Sequence, residues 1–313
     1  MGNIHPMGAL GCDQQKIEEL YNDNNYVAEK KFDGSRYVLS FINKKATLTS
    51  RCESVKGGMV DKTKNVPQII KEVLQLDDVI LDGEIDLKEE RNFSKVQGIM
   101  GSLPERALEI QKDKNKTLYY KCFDILSYRG YNLKERPLKE RRKILELIFR
   151  SHKYKFNYII LVDQISDPKG KRELFGNEID KGSEGIILKN INSIYVAGED
   201  KTERPRNTWY KVKLLNTYDG IVTGYNIGTG KYSKTVGSLI VKQYKDGKLI
   251  EVANVGGMND KLRDEFKKKI DNGEQFIIEF KAQEPEGENR YRHPRFKRIR
   301  LDKNKKECVY GQK

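Results

Sequence analysis

The sequence predicts an α+β protein built from two domains, an antiparallel strand-and-helix domain over residues 1–216 and a small β-barrel over residues 217–313. Three observations lead there. With 313 residues and 37% apolar side chains, the chain exceeds the roughly 250 residues at which single cores stop growing. Its first two thirds mix strand-like and helix-like stretches, whereas the remainder holds short strands separated by tight turns. Charge is uneven too. Residues 1–216 carry 39 basic and 32 acidic side chains and residues 217–313 carry 21 and 14, so the shorter part holds half of the net +14.

In the first domain, "YVAEKKF" (26–32), "RYVLSFI" (36–42), "DDVILDGEIDL" (77–87), "LYYKCFDIL" (118–126), "EGIILKN" (184–190) and "TWYKVKLL" (208–215) read as strands. They are rich in β-branched and aromatic residues and often bounded by Gly or Asp. "VPQIIKEVLQL" (66–76) and "LKERRKILELIFR" (138–150) carry apolar residues at helical spacing, and Pro137 suits a helix start. In the second domain, "DGIVTGYNI" (219–227), "VGSLIVKQYKDGKLIEVANVG" (236–256) and "QFIIEFKAQE" (275–284) read as strands, with turn signals at Asp246-Gly247 and Gly256-Gly257. "NDKLRDEFKKKI" (259–270) reads as a helix capped by Asn259. About five strands in such a length predict an OB-fold.

No apolar run approaches the roughly 18 residues of a membrane span. The start, "MGNIHPMGALGCDQQ", lacks a basic region followed by an apolar core, and Pro6 stands where a myristoylation signal needs Ser or Thr. The expectation is a cytoplasmic protein with no membrane association. Cys12, Cys52, Cys122 and Cys308 are scattered without a C-x-x-C pair, which speaks against zinc modules and disulfides. His5, His152 and His293 are equally unclustered. The basic excess favours a polyanionic partner, and its densest run, "RYRHPRFKRIRLDKNKK" (290–306), sets nine Lys or Arg against Asp302. Nucleic acid is the partner this composition favours.

Alternation along strands then groups the charged residues. Glu29 and Lys31 share a face, as do Asp82, Glu84 and Asp86, and Trp209, Lys211 and Lys213. Each set lies opposite apolar residues, as in any half-solvated antiparallel strand. Together they can line one cleft with cations and carboxylates, a mixture suited to phosphate and its metal.

"KFDGSR", Lys31 to Arg36, resembles the K-x-D-G-x-R motif of the covalent nucleotidyltransferases: ATP-dependent DNA ligases, RNA ligases and capping guanylyltransferases. The companion motifs follow in order: "LDGEID" with Glu84, "YYKCFDIL" with Phe123, "SEGIILK" with Glu184 and Lys189, "WYKVK" with Lys211 and Lys213, and "RIRLDK" with Arg300, Asp302 and Lys303. "LTSRCESV" resembles the segment after the first motif and puts Arg51 near phosphate, although the family has Asn where Cys52 stands. The resemblance covers nearly the whole chain. Glu184 and Lys189 fall on opposite faces of an ideal strand, which either a bulge or a position for Glu184 in the preceding turn reconciles.

The resemblance implies a nucleotidyltransferase (adenylation) domain followed by an OB-fold, with ATP and Mg²⁺ as cofactors. A lysine amine attacks only when neutral, and neighbouring cations such as Lys211 and Lys213 or a bound metal favour loss of its proton. Lys31 is then the nucleophile that takes AMP from ATP. Glu84 and Glu184 are the magnesium and ribose-side carboxylates, Phe123 stacks on adenine, and Glu29 accepts from the adenine amino group. Arg36 holds the ribose or the nick terminus, and Arg300 and Lys303 orient the pyrophosphate.

The acceptor is read from the second domain. "DGIVTGYNIGTGKYSKTVGSLIV" (219–241) and "HPRFKRIRLDK" (293–303) resemble the start and end of the OB domain of DNA ligases. An NAD-dependent enzyme is disfavoured, because thirty residues precede Lys31 and no zinc module follows. The expectation is a minimal, monomeric ATP-dependent DNA ligase sealing 5′-phosphate/3′-hydroxyl nicks in duplex DNA. Its loop "NIGTGKYSKTVGS" is too short for a long latch, so Lys231, Lys234 and the basic run must supply phosphate contacts. Two alternatives stay open: an RNA or hybrid-end ligase with the same chemistry, and a binding protein with a decayed enzyme domain. The complete motif set argues against decay.

Overall fold

A computed structural model describes residues 4–53, 58–88, 92–181, 183–198, 208–213, 216–283 and 289–312. The chain divides into two compact units, Met1–Lys213 and Leu214–Lys313. The division falls before the boundary expected at residue 216, because Asn216 already opens the first strand of the second unit.

Among the described residues of the first unit the strands are β1 (Leu10–Gly11), β2 (Tyr26–Lys30), β3 (Ser35–Ile42), β4 (Lys45–Glu53), β5 (Met59–Asp61), β6 (Val79–Leu87), β7 (Leu118–Tyr128), β8 (Tyr131–Asn132), β9 (Ile159–Leu161), β10 (Gly185–Asn190) and β11 (Trp209–Lys213). The helices are α1 (Gln14–Asn22), α2 (Pro67–Val73), α3 (Phe93–Gly101), α4 (Pro104–Ile110), α5 (Leu138–Arg150) and α6 (Pro168–Asp180). One sheet runs β5-β4-β3-β6-β7-β8 with β9 beside β7, and a second runs β1-β11-β10-β2.

Strand parity decides the layers. Leu81, Ile85 and Leu87 of β6 join Leu39, Leu48, Leu118 and Ile125 under α2, α3, α4 and α5, in the largest apolar core. On the second sheet Ala28, Ile186, Leu188, Tyr210 and Val212 pack against Ile17 and Leu20 of α1 and Leu174 of α6. The two remaining sheet faces meet through Val38, Ile80, Phe123, Leu126 and Trp209, with Met7 and Tyr195 from connecting segments. The charged face of β6 is therefore not half-solvated as an isolated strand would be. Asp82 and Asp86 are buried. A buried Arg141–Asp124 ion pair, Nε–Oδ1 2.7 Å, ties α5 to β7.

The second unit is a five-stranded sheet, β14-β13-β12-β15-β16, of β12 (Asn216–Ile227), β13 (Val236–Lys245), β14 (Lys248–Val255), β15 (Phe276–Gln283) and β16 (Arg292–Ile299). It closes where Phe296 N–H donates to Gly256 O at 2.8 Å and Tyr291 N–H to Val252 O at 2.8 Å, which joins the first and last strands of that order. Closure removes the open edges of the sheet. Asp246 and Gly247 take positive φ in the β13–β14 hairpin, the conformation a two-residue turn requires. Helix α7 (Asp260–Asp271) is capped by Asn259, whose side chain accepts from Leu262 N–H, and it buries Phe266 in the barrel core. No described helix is long and apolar enough to cross a membrane.

Candidate active site

The second sheet of the first unit carries the site on one face. Its antiparallel register sets Glu29 of β2 opposite Ile187 of β10, and Ile187 opposite Lys211 of β11. The neighbouring rows set Lys189 opposite Trp209 and Gly185 opposite Lys213. Alternation then sends the even-numbered residues to the α1/α6 core and the odd-numbered ones into the cleft.

Lys31 follows directly on β2, and its N–H donates to Gly185 O at 3.0 Å. Its ammonium forms an ion pair with Glu184 Oε2, and Lys213 Nζ lies 3.0 Å from Glu184 Oε1. Glu184 precedes β10, and Gly185 has φ +132°, a value that side chains other than glycine's rarely adopt. A Cβ at Gly185 would also meet Val212 O at 2.0 Å. Of the two ways to reconcile Glu184 with Lys189, the structure has the turn before the strand.

Glu84 stands on β6, in register with Arg36 of β3. Its Oε1 accepts from Gly34 N–H at 2.9 Å. Burial pushes the Glu84 carboxyl up to about 7, against the pull of Lys31, Arg36 and that N–H. Arg36 Nε donates to Asp82 Oδ1 at 2.9 Å, and Tyr195 O–H donates to Asp82 Oδ2 at 2.6 Å. Burial opposes the Arg36 charge, but Asp82 outweighs it and holds the guanidinium protonated. Asp82 and Tyr195 are absent from the residues assigned from the motifs. Asp82 lies two residues before Glu84 on the same face, and that spacing is the available signal for it.

Phe123 reaches the cleft through a bulge. The β6–β7 register passes from Asp82–Asp124 to Gly83–Cys122, leaving Phe123 as the extra residue. A bulge re-aims a side chain, so Phe123 faces the second sheet while Cys122 faces the helices. The Phe123 ring meets Trp209 edge-on at 6.2 Å and lies 5.0 Å from the Arg36 guanidinium. Lys189 is fully buried, its ammonium 4.2 Å from the Phe123 ring centre and 4.0 Å from that of Trp209. Desolvated contacts of this kind contribute about 2 kcal/mol. Lys189 Nζ is paired with Glu29 Oε2 at 2.7 Å. Burial, opposed by Glu29 and Asp124, lowers the Lys189 pKa from the ordinary lysine value.

Arg51 is exposed on β4, next to Ser50, which pairs with Tyr37. In the second unit Arg300 donates through Nη1 to Asp219 Oδ1 at 2.9 Å and through Nε to Asp302 Oδ1 at 2.8 Å. Lys303 Nζ donates to Asp219 Oδ2 at 2.6 Å. Asp219 on β12 thus joins two of the three residues of the last motif, a role the motif itself does not announce. Asp302 is held well below the ordinary carboxylate range by Arg300.

Glu84 and Glu184 supply hard oxygen donors near Lys31, which pairs with Glu184 and whose charge acts on Glu84. No cluster of three or more His, Cys, Asp or Glu able to hold a metal occurs among the described residues. Magnesium takes only one or two carboxylates when phosphates complete its shell, so this donor set fits a phosphate-borne ion.

Comparison with known proteins adds the lineage. Residues 6–213 match the family model described as ATP dependent DNA ligase domain. The chain belongs to the ATP-dependent DNA ligase family. Residues 227–300 match the DNA ligase OB-like domain. The DNA ligase of Archaeoglobus fulgidus is 31% identical over 90% of this chain and 52% of its own length. That of Methanocorpusculum labreanum is 28% identical over 98% of this chain and 58% of its own. The chain thus spans between half and three fifths of the length of these relatives. Among solved structures, a Lig E DNA ligase described as binding DNA with a minimal scaffold covers 96% of this chain and 100% of its own, with TM-score 0.67 and 18% identity. The ligase domain of LigD from M. tuberculosis gives TM-score 0.53 and 21% identity over 98% of each chain. These likenesses show the fold, a nucleotidyltransferase domain joined to an OB-fold.

Proposed function

We propose that the chain is an ATP-dependent DNA ligase that seals 5′-phosphate/3′-hydroxyl nicks in duplex DNA. The observation that carries this reading is the arrangement of Lys31, Glu184 and Lys213 on one sheet face, opposite Glu84 and Phe123, inside a domain of the DNA ligase family. In the first step Lys31 Nζ attacks the α-phosphorus of ATP, the N–P bond forms, and the bond to pyrophosphate breaks. A 5′-phosphate oxygen then takes the AMP and frees the lysine. The 3′-hydroxyl finally attacks that phosphate and expels AMP.

Lys211 and Lys213 neutralise charge on the transferring phosphoryl group, where positioned cations act most strongly. Magnesium, when bound, supplies further charge neutralisation, with Glu84 and Glu184 as the residues that would hold it. Phe123 offers its face to adenine, and Arg36, clamped by Asp82, holds the ribose or the nick terminus. Arg300 and Lys303 orient the pyrophosphate, and the basic run at 290–306 contacts DNA phosphates. The protein acts as a monomer in the cytoplasm. RNA as acceptor is the weaker reading, because the relatives from Archaeoglobus and Methanocorpusculum are both named DNA ligases.

The test incubates the protein with α-labelled ATP or GTP and magnesium, then adds nicked DNA or nicked RNA. Labelling by ATP, its loss in Lys31→Ala, and discharge onto nicked DNA with sealing are the expected results. Labelling by GTP, or discharge by RNA alone, moves the function elsewhere in the superfamily. No labelling together with tight DNA binding favours a binding protein.

A further inference from the structure

The segment after β9 forms an edge beside β2. Ala28 N–H donates to Ile165 O at 2.8 Å and Ile165 N–H to Ala28 O at 2.9 Å, an antiparallel bridge. Its register sets Gln164 opposite Glu29, so Gln164, Glu29, Ile187 and Lys211 form one row across the sheet. Side chains of directly opposed residues on one face approach closely. Here Gln164 Nε2 donates to Glu29 Oε1 at 2.8 Å while Lys189 holds Oε2 at 2.7 Å. Glu29 is 2% exposed, so these two donors fix the plane of a carboxylate that has almost no water to turn in.

We propose that Gln164 is a specificity-determining residue that selects adenine by holding Glu29 as an acceptor for the 6-amino group. This rests on the ligase reading above, in which the base stacks on Phe123. Ile187, next to Glu29 in the row, packs in the same cluster as Phe123, so a base between these two sheets has its edge along the row. Adenine presents an amino group at position 6 and guanine a carbonyl oxygen. A carboxylate with a fixed lone pair attracts the first and repels the second. Without the Gln164 amide, the Glu29 carboxylate is free to rotate towards Lys189 and the discrimination weakens. Nothing in the ordered motifs marks Gln164, which reaches the row through sheet register alone.

The experiment is a cycle between enzyme and nucleotide. Formation of the protein–AMP adduct, or of its deaminated counterpart, is measured with ATP, GTP and purine riboside 5′-triphosphate, which lacks the 6-amino group, for the wild type and Gln164→Ala. The preference of the wild type for ATP over the deaminated analogue is expected to shrink by roughly tenfold in the variant, carried by KM, with kcat at saturating ATP kept. The ATP-over-GTP ratio falls with it. An unchanged ATP-to-analogue ratio overturns the proposal, as does an equal loss with every nucleotide accompanied by a lower melting temperature. A wild type that labels with no nucleotide overturns the ligase reading and the proposal with it, an outcome distinct from both.

Discussion

Lys213 Nζ and Glu184 Oε1 lie 3.0 Å apart, and the second oxygen of the same carboxylate pairs with Lys31. One buried carboxylate therefore spaces two cations that would repel if left alone in the cleft. Breaking such a set leaves uncompensated charge, which costs more than the pair itself contributes. Glu184→Gln keeps the volume and removes the charge. Lys31 adenylation is expected to fall roughly 100-fold or more, because both the lysine and its supporting cation lose their anchor. A labelling time course checks it, with circular dichroism showing that the variant is folded.

Glu84 gives a pH dependence with a defined sign. Burial raises its folded-state pKa from 4.5 to about 7, so the native protein holds a proton that the unfolded chain releases. The associated stability is complete below pH 4.5 and is lost as pH rises through about 7. Metal-free protein is expected to lose stability between about pH 4.5 and 7 from this group, with no further loss from it at higher pH. Glu84→Gln is expected to flatten that slope (Asp86, raised to about 6 by burial, keeps its own share). Urea unfolding at stepped pH reads the difference. A slope identical in the variant removes Glu84 as its source.

Gly185 joins backbone and function at one position. Its φ of +132° sends Glu184 to Lys31, and its missing Cβ makes room for Val212 O. Gly185→Ala introduces strain and a clash together. A loss of about 2–4 kcal/mol is expected, with β10 drawn away from β11. Thermal melting measures it, and a near-neutral result shows that the strand pair adjusts at little cost.

Much of the fold and the site is legible in the amino-acid sequence. Residue type and alternation identify strands such as "VILDGEIDL", and the ordered motifs bring Lys31, Glu84, Phe123, Glu184 and Lys213 into one reading. What alternation cannot supply is register between strands distant in sequence. Gln164 meets Glu29, and Tyr195 meets Asp82, at separations of 135 and 113 residues. Tertiary pairing sets those contacts, and no local pattern records them. The bulge at Phe123 is hidden for the same reason, since an extra residue is defined only against its partner strand. Helices α3 and α4 escape a sequence reading because such short segments owe their helicity to packing.

Asp219 offers the last prediction, because it gathers the two cations of the segment after β16. Leu301 is 94% exposed, and Arg300 N–H donates to Ile277 O at 2.8 Å, so the backbone of the turn is tied to β15 while its side chains need a further anchor. Asp219 accepts from both cations, at 2.9 Å and 2.6 Å, and is held in turn by β12. Hydrogen bonds to a charged partner contribute about 1.5–3 kcal/mol each, enough to order a short turn. Asp219→Ala is expected to splay the two cations and slow Lys31 adenylation by roughly tenfold or more. Sealing of a nick that already carries AMP should fall less, since that step releases no pyrophosphate. Comparing the two rates in the variant separates the roles. Equal loss in both would make Asp219 a residue of barrel stability and leave the alignment of Arg300 and Lys303 to Asp302.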